Sequence, residues 1–102
     1  MLPKPGEGPT PEQQLAGRFD LRFVGKTEAG QMLRIKVTGD RDPGYGSTGK
    51  MLGQAALSLA LDHRKQEGQT GRAGGFWTPA TMFDDRFIQR LSDHAGIEFQ
   101  QL

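Results

Sequence analysis

Two segments in which apolar and polar residues alternate strictly constrain the fold of this chain more than any other feature. The apolar positions are Phe19, Leu21 and Phe23 in the first segment and Leu33, Ile35 and Val37 in the second. Period-two alternation places each apolar set on one face of a β-sheet. Residues 25–30 between the segments are polar, with a glycine at each end, so the sequence predicts an antiparallel hairpin. The opposite face would carry Arg18, Arg22, Arg34 and Lys36.

The remaining segments predict an α+β fold, a small mixed or antiparallel sheet with helices packed on one face. Thr10 caps a helical turn over residues 11–15, a helix runs over 47–61, and a polar loop over 63–75 precedes a short strand at 76–77. An amphipathic helix over 81–95 follows, with Thr81 and Asp84 as a capping box, and a last strand covers 97–100. The proline- and glycine-rich residues 1–11 are interpreted as a linker or a truncated edge, and residues 12–102 as one domain.

The predicted helix over 47–61 is apolar around most of its circumference, so we expect it to be mostly buried. Its polar residues form one narrow stripe: Lys50, Gln54, Ser58 and Asp62. Glycine inside a helix costs up to about 1 kcal/mol relative to alanine. We therefore expect Gly53 to permit close packing against a sheet.

A glycine-rich loop over 44–50 matches two nucleotide-binding patterns, and its context argues against both. Met51 stands where a phosphate-binding loop needs a magnesium-binding hydroxyl. A dinucleotide fingerprint should directly follow a parallel strand, whereas this loop follows a hairpin strand after five intervening residues. We therefore predict no cofactor-binding residue in this chain. Ser47 or Thr48 is expected to cap the helix.

A helix that begins in glycines still offers free N–H groups and a positive dipole end to an anion. A substrate carboxylate or a cofactor phosphate is the kind of anion we consider. The substrate-binding residues predicted at this loop are Asp42, Tyr45, Thr48 and Lys50.

The composition excludes several classes of function. The chain has no cysteine, which rules out disulfides, thiolate metal sites and cysteine nucleophiles. His63 and His94 share no metal-ligand spacing and are predicted to be surface residues, so no metal is expected. The net charge of +1 and the absence of interleaved aromatics argue against nucleic-acid binding. No apolar run reaches the roughly 18 residues of a membrane span, so a cytoplasmic location is expected.

The order and spacing of several motifs resemble the C-terminal part of saccharopine dehydrogenase-like oxidoreductases. The segments that carry this resemblance are residues 8–14, 19–25, 39–51, 55–62, 74–80 and 91–97. The resemblance implies a parent enzyme whose N-terminal Rossmann domain binds NAD(P), with this chain as the distal part of the substrate domain. It also implies a small-molecule substrate and a dimer contact. No catalytic residue is carried over to this segment.

Two functions remain open from the sequence. The first is a C-terminal part of an NAD(P)-dependent oxidoreductase, inactive alone, that shapes the substrate site. The second is an independent small module that binds a protein or an anionic metabolite. A chain of 102 residues has room for only about one βαβ unit of roughly 30 residues or more, so it cannot hold a complete dinucleotide fold.

Overall fold

A computed structural model of the chain describes residues 4–63 and 74–102. Seven elements follow one another there. They are helix α1 (Pro11–Ala16), strands β1 (Phe19–Lys26) and β2 (Met32–Gly39), helices α2 (Gly46–Leu61), α3 (Pro79–Met82) and α4 (Asp85–His94), and strand β3 (Ile97–Gln101). Most of the predicted loop over 63–75 lies outside the described residues.

The three strands form one antiparallel sheet in the order β1-β2-β3. The hairpin register runs from Phe19 opposite Gly39 to Lys26 opposite Met32, and Gly30 at the turn has a φ of +82°. β3 adds to the other side of β2, with Ile97 opposite Gly39. The predicted α+β class, the hairpin and the last strand are therefore confirmed. The capped helical turn at Pro11 is confirmed as well, since Thr10 accepts a hydrogen bond from the Gln13 N–H.

Two local predictions are wrong in the segment before β3. The short strand at Phe76 and Trp77 does not form among the described residues, and the Phe76 side chain is fully exposed. The predicted helix over 81–95 is two helices, because Phe83 and Asp84 have extended backbone. Asp84 caps α4 by accepting from the Arg86 N–H, so it is not the partner of Thr81. Thr81 instead pairs with Thr78 at the start of α3.

The core of the described residues lies where α4 meets the sheet. Its buried apolar members are Leu91, Ala95 and Ile97, and the partly buried Phe19, Val37, Met51 and Phe87 pack against them. Leu91 and Ala95 lie four residues apart and therefore on one side of α4 and its end. α4 packs against both β3 and α2, so it connects the sheet to the second helix.

The orientation of α2 reverses the expectation from its sequence. Its two fully buried residues are polar, Ser47 and Ser58, whereas Leu52 is 70% exposed. Arg90 on α4 donates to both carboxylate oxygens of Asp62, at 3.0 and 2.9 Å. The polar stripe thus faces α4, and the leucines of α2 are exposed, while Met51 packs against the core. A β-carbon added at Gly53 would meet nothing within 4 Å, so the expected close packing against a sheet is also absent.

No helix within residues 4–63 and 74–102 combines the length and the apolar character needed to cross a bilayer.

Two glycine substitutions test these placements. Gly96 has a φ of +65°, and a β-carbon there would overlap the Asp40 carboxylate. We expect Gly96→Ala to lower the free energy of unfolding by about 1–3 kcal/mol, because a non-glycine residue is strained in this conformation.

We expect Gly53→Ala to raise the free energy of unfolding by up to about 1 kcal/mol, through helix propensity alone. Urea unfolding of the 102-residue chain measures both changes, and a destabilising Gly53→Ala would contradict the outward placement of α2.

Candidate functional site

The loop between β2 and α2 is built around the carboxylate of Asp42. This carboxylate accepts hydrogen bonds from the N–H groups of Gly44 at 3.3 Å, Tyr45 at 2.7 Å and Gly46 at 3.0 Å. These bonds, led by the one from Gly46, lower the pKa of Asp42 below its ordinary value of 3.8. The chain therefore places its own anion at the N-terminus of α2, where the helix dipole favours a negative charge.

The expected caps, Ser47 and Thr48, have other partners. The Ser47 hydroxyl donates to the Arg41 carbonyl at 3.1 Å, and the Thr48 hydroxyl donates to the Pro43 carbonyl at 2.6 Å. Tyr45 stands at the cap position without a capping side-chain hydrogen bond. The prediction that Ser47 or Thr48 caps the helix is therefore wrong, because the carboxylate of Asp42 already occupies the N–H groups. An external phosphate or carboxylate would have to displace Asp42, so the loop does not fit a nucleotide pyrophosphate.

A second acidic residue, Asp40, lies at the end of β2 among three cationic side chains. Its carboxylate contacts Lys50 at 3.2 Å and Arg41 at 3.5 Å. Its carbonyl accepts from Arg18 at 2.7 Å and from Arg41 at 2.8 Å. Lys50 is therefore paired within the chain, and its side chain is about one-third exposed.

Arg18, Asp40 and Arg41 belong to a cleft of about 580 Å³ beside the sheet. Phe19, Asp20 and Glu98 are among its other lining residues. Three carboxylates and two guanidinium groups line this cleft, so it has no excess of positive charge to hold an anion. The sequence analysis missed the cleft, since only the sheet register brings Glu98 of β3 to the same end as Asp40.

Of the four predicted substrate-binding residues, Asp42 and Tyr45 lie on this loop and Thr48 and Lys50 lie at the start of α2, and their environments differ. Asp42 and Thr48 are held by backbone groups, and Lys50 is held by Asp40. Tyr45 is exposed, and its ring lies next to Gly8, where an added β-carbon would be 3.0 Å from the ring. Tyr45 and the exposed portion of the Lys50 side chain are therefore the two groups that a bound molecule could reach without unfolding the loop.

An apolar cleft of about 420 Å³ lies between α2 and the segment that leads into α3. Its larger lining side chains are Leu59, Trp77, Met82 and Phe83, and none of its described lining residues is charged. The short strand predicted at 76–77 gave no indication that Trp77 shares a cleft with Leu59. A cleft of this character suits the hydrocarbon part of a ligand.

The two histidines do not form a metal centre with other residues. The His63 ring contacts Phe83 edge to face at 5.9 Å between centroids, and it is half-buried rather than at the surface as predicted. His94 lies exposed in the last turn of α4. In the part of the chain that the structure describes, no group of three or more His, Asp or Glu side chains could hold a metal ion.

Comparison with known proteins gives matches to mycobacterial proteins that are named as trans-acting enoyl reductases. The chain is 33% identical over 100 residues to a Mycobacterium tuberculosis protein named "Putative trans-acting enoyl reductase". This alignment covers 98% of this chain and 23% of that protein. It is 33% identical over 91 residues to a Mycobacterium bovis trans-acting enoyl reductase, and 30% identical over 91 residues to one from Mycobacterium ulcerans. Each of these two alignments covers 89% of this chain and 21% of the relative. No family model and no solved structure matches.

These relatives correct the resemblance drawn from the motifs. Their names are those of enoyl reductases, so the assignment to saccharopine dehydrogenase-like proteins is wrong. The chain spans less than a quarter of the length of the curated relatives it matches. It therefore corresponds to a small part of proteins that are named as oxidoreductases.

The capping role of Asp42 predicts a pH-dependent stability. Because the pKa of Asp42 is lowered in the folded state, the stabilising effect of its carboxylate is complete above pH 3.8, the ordinary pKa. This effect is lost as the pH falls through the lowered pKa of the folded state. We expect Asp42→Asn to lower the melting temperature at neutral pH, and we expect this difference to shrink in acid. Asp93→Asn is the control, since Asp93 accepts from the side chain of Gln89 and not from a helix N-terminus. A melting-temperature difference that does not change with pH would contradict the role of Asp42.

Proposed function

We propose that this chain forms part of the substrate domain of an enoyl-reductase-like oxidoreductase. The observation that carries the proposal is the 33% identity over 98% of this chain to a protein of that name. An enoyl reductase reduces a carbon–carbon double bond conjugated to an acyl carbonyl, so its substrate combines a polar thioester end with a hydrocarbon chain. The loop around Tyr45 and Lys50 offers polar groups, and the cleft beside Leu59 and Trp77 offers apolar ones.

The nicotinamide cofactor of such an enzyme is proposed to bind outside this chain. The glycine-rich loop does not fit it, because Asp42 already accepts from the N–H groups of Gly44, Tyr45 and Gly46. The preceding strand is also antiparallel to its neighbours, unlike the strand that begins a dinucleotide fold. The proposed partner is a nucleotide-binding domain within the same, longer protein, and the chain alone is not catalytic.

The apolar surface of the described residues is consistent with a part of a larger protein. Only three apolar residues are buried, whereas leucines of α2 and several apolar side chains of the sheet are exposed. An independent module for a protein or an anionic metabolite would have to keep this surface in water. The N–H groups of Gly44, Tyr45 and Gly46 already donate to Asp42 and not to an external anion, so the oxidoreductase proposal accounts for more of the structure.

A chimera tests the proposed role of the loop. This chain would replace the matching segment of the Mycobacterium tuberculosis relative, and NADPH oxidation would be measured with crotonyl-CoA as the enoyl probe. We expect Lys50→Ala to raise the KM for crotonyl-CoA about tenfold, the effect of losing one hydrogen bond to a charged group. We expect Tyr45→Phe to raise it less, by a factor of about two to ten, as for a neutral hydrogen bond. Neither variant should change the KM for NADPH.

Lys26→Ala at the far end of β1 is the matched control and should change neither KM. If Lys50→Ala and Tyr45→Phe also leave both KM values and kcat unchanged, the loop is structural and does not face the substrate. Titration of NADP⁺ into the 102-residue chain alone tests the cofactor assignment. Tight binding there would contradict a nucleotide site outside this chain.

A further inference from the structure

The apolar face of the sheet continues well beyond the part that α4 covers. In the strand register, Leu21 lies opposite Val37 and Val37 opposite Phe99, while Phe23 lies opposite Ile35. Directly paired residues of antiparallel strands lie on the same face. Leu33, two residues before Ile35, lies on that face as well. We call the surface formed by Leu21, Phe23, Leu33, Ile35 and Phe99 the distal face.

At the border of the distal face, Phe99 lines a cleft of about 340 Å³ with Phe87, Ile88 and Leu91 of α4. Otherwise α4 covers only the other end of this side of the sheet. There, Ile97 is buried, and Phe19 and Val37 pack against the core. On the distal face, Leu21, Phe23, Leu33 and Phe99 are all exposed, with Phe23 54% exposed. Contiguous exposed apolar surface of this kind marks an interaction site in a folded protein.

The opposite side of the sheet is suited to water. Asp20 pairs there with Arg22 at 3.3 Å and with Lys36 at 3.5 Å. Lys36 pairs with Gln100, so the two lie on the same side of the sheet. Arg34 and Glu98 lie on that side as well, because each is two residues before one member of this pair. The sheet therefore has one charged, solvent-facing side and one apolar side that is only partly covered.

We propose that the distal face binds an amphipathic helix from the portion of the longer protein outside this chain. Three strands about 4.8 Å apart present a surface about 10 Å wide, which matches the diameter of one helix. α4 already packs in this way on the same side of the sheet. Because the distal face has no charged side chain, the bound helix presents an apolar stripe to it.

The length of the relatives identifies the source of this helix. The match to the Mycobacterium tuberculosis relative leaves more than three-quarters of that protein unmatched. The inference rests in this respect on the proposed function, which makes the chain a part of such a protein. A second copy of this chain is the rival occupant. A symmetric dimer through the distal face would use one patch per copy and leave the leucines of α2 exposed, whereas a longer protein has further segments to cover α2 as well.

Alkylation of single cysteines tests the proposal, since the chain has none of its own. Phe23 lies on the distal face, and its neighbour Val24 lies on the charged side with 64% exposure, so Phe23→Cys and Val24→Cys are a matched pair. In the 102-residue chain we expect iodoacetamide to modify both at similar rates. In the chimera we expect modification to slow more than about tenfold at Phe23→Cys only, because a covered thiol reacts only when its site opens. Mass spectrometry locates the modified peptide.

Equal alkylation rates for the two variants in the chimera would overturn the proposal. Light scattering of the 102-residue chain provides the second measurement and does not need the chimera. A monomer supports the proposal that the distal face is left for another segment. A dimer would assign the face to a second copy if Phe23→Glu dissociates it and Val24→Glu leaves it intact. Activity is scored separately. A chimera that protects Phe23→Cys but does not oxidise NADPH would refute the proposed function and leave the helix-binding face standing.

Discussion

The paired hydrogen bonds from Arg90 to Asp62 determine how the helices of this chain are arranged. The two side chains are only 18% and 19% exposed, and both guanidinium–carboxylate contacts are 3.0 Å or shorter. The hydrogen bonds from Arg90 lower the pKa of Asp62, so the carboxylate stays charged at a pH at which an ordinary aspartate takes up a proton. A two-point contact of this kind fixes orientation as well as distance. It turns the polar stripe of α2 toward α4.

The exposed leucines of α2 follow from that orientation. A helix that uses its polar stripe for its internal contact must direct most of its apolar side elsewhere, and here the leucines of that side are exposed. The distal face of the sheet is in the same situation. Together they leave a core of three buried apolar residues, Leu91, Ala95 and Ile97, among residues 4–63 and 74–102. Small domains are already marginal in stability, so these surfaces are better understood as unfilled interfaces within a longer protein.

Local patterns were sufficient to predict much of the fold. Alternation identified the hairpin, and periodicity placed α2 within one residue of its observed start. The side of α2 that is buried could not be predicted, because apolar residues cover most of its circumference and the choice depends on Arg90, 28 residues after Asp62. The helix cap was missed for a related reason. Asp42 lies four residues before the helix and reaches its N–H groups only through the turn at Pro43 and Gly44.

For the candidate site as well, some features could be predicted from the sequence and others could not. The sequence predicted Asp42, Tyr45, Thr48 and Lys50 as substrate-binding residues, and that role stays a prediction. The cleft beside Glu98 depends on strand register, and the ion pair of Lys50 with Asp40 depends on the path of the chain between β2 and α2. Local sequence patterns encode neither. The family was misjudged because a glycine-rich helix entry recurs in unrelated proteins for steric reasons alone.

Differential scanning calorimetry of the isolated 102-residue chain tests most directly whether its core is incomplete. A fully packed domain of this length unfolds with a heat-capacity increase of roughly 1.2–1.5 kcal/mol/K, which reflects the apolar surface it exposes. We predict a clearly smaller increase and a broad transition, because so little apolar surface is buried. A sharp two-state transition with the full heat-capacity increase, independent of protein concentration, would show that the chain is a complete domain and would contradict the incomplete core.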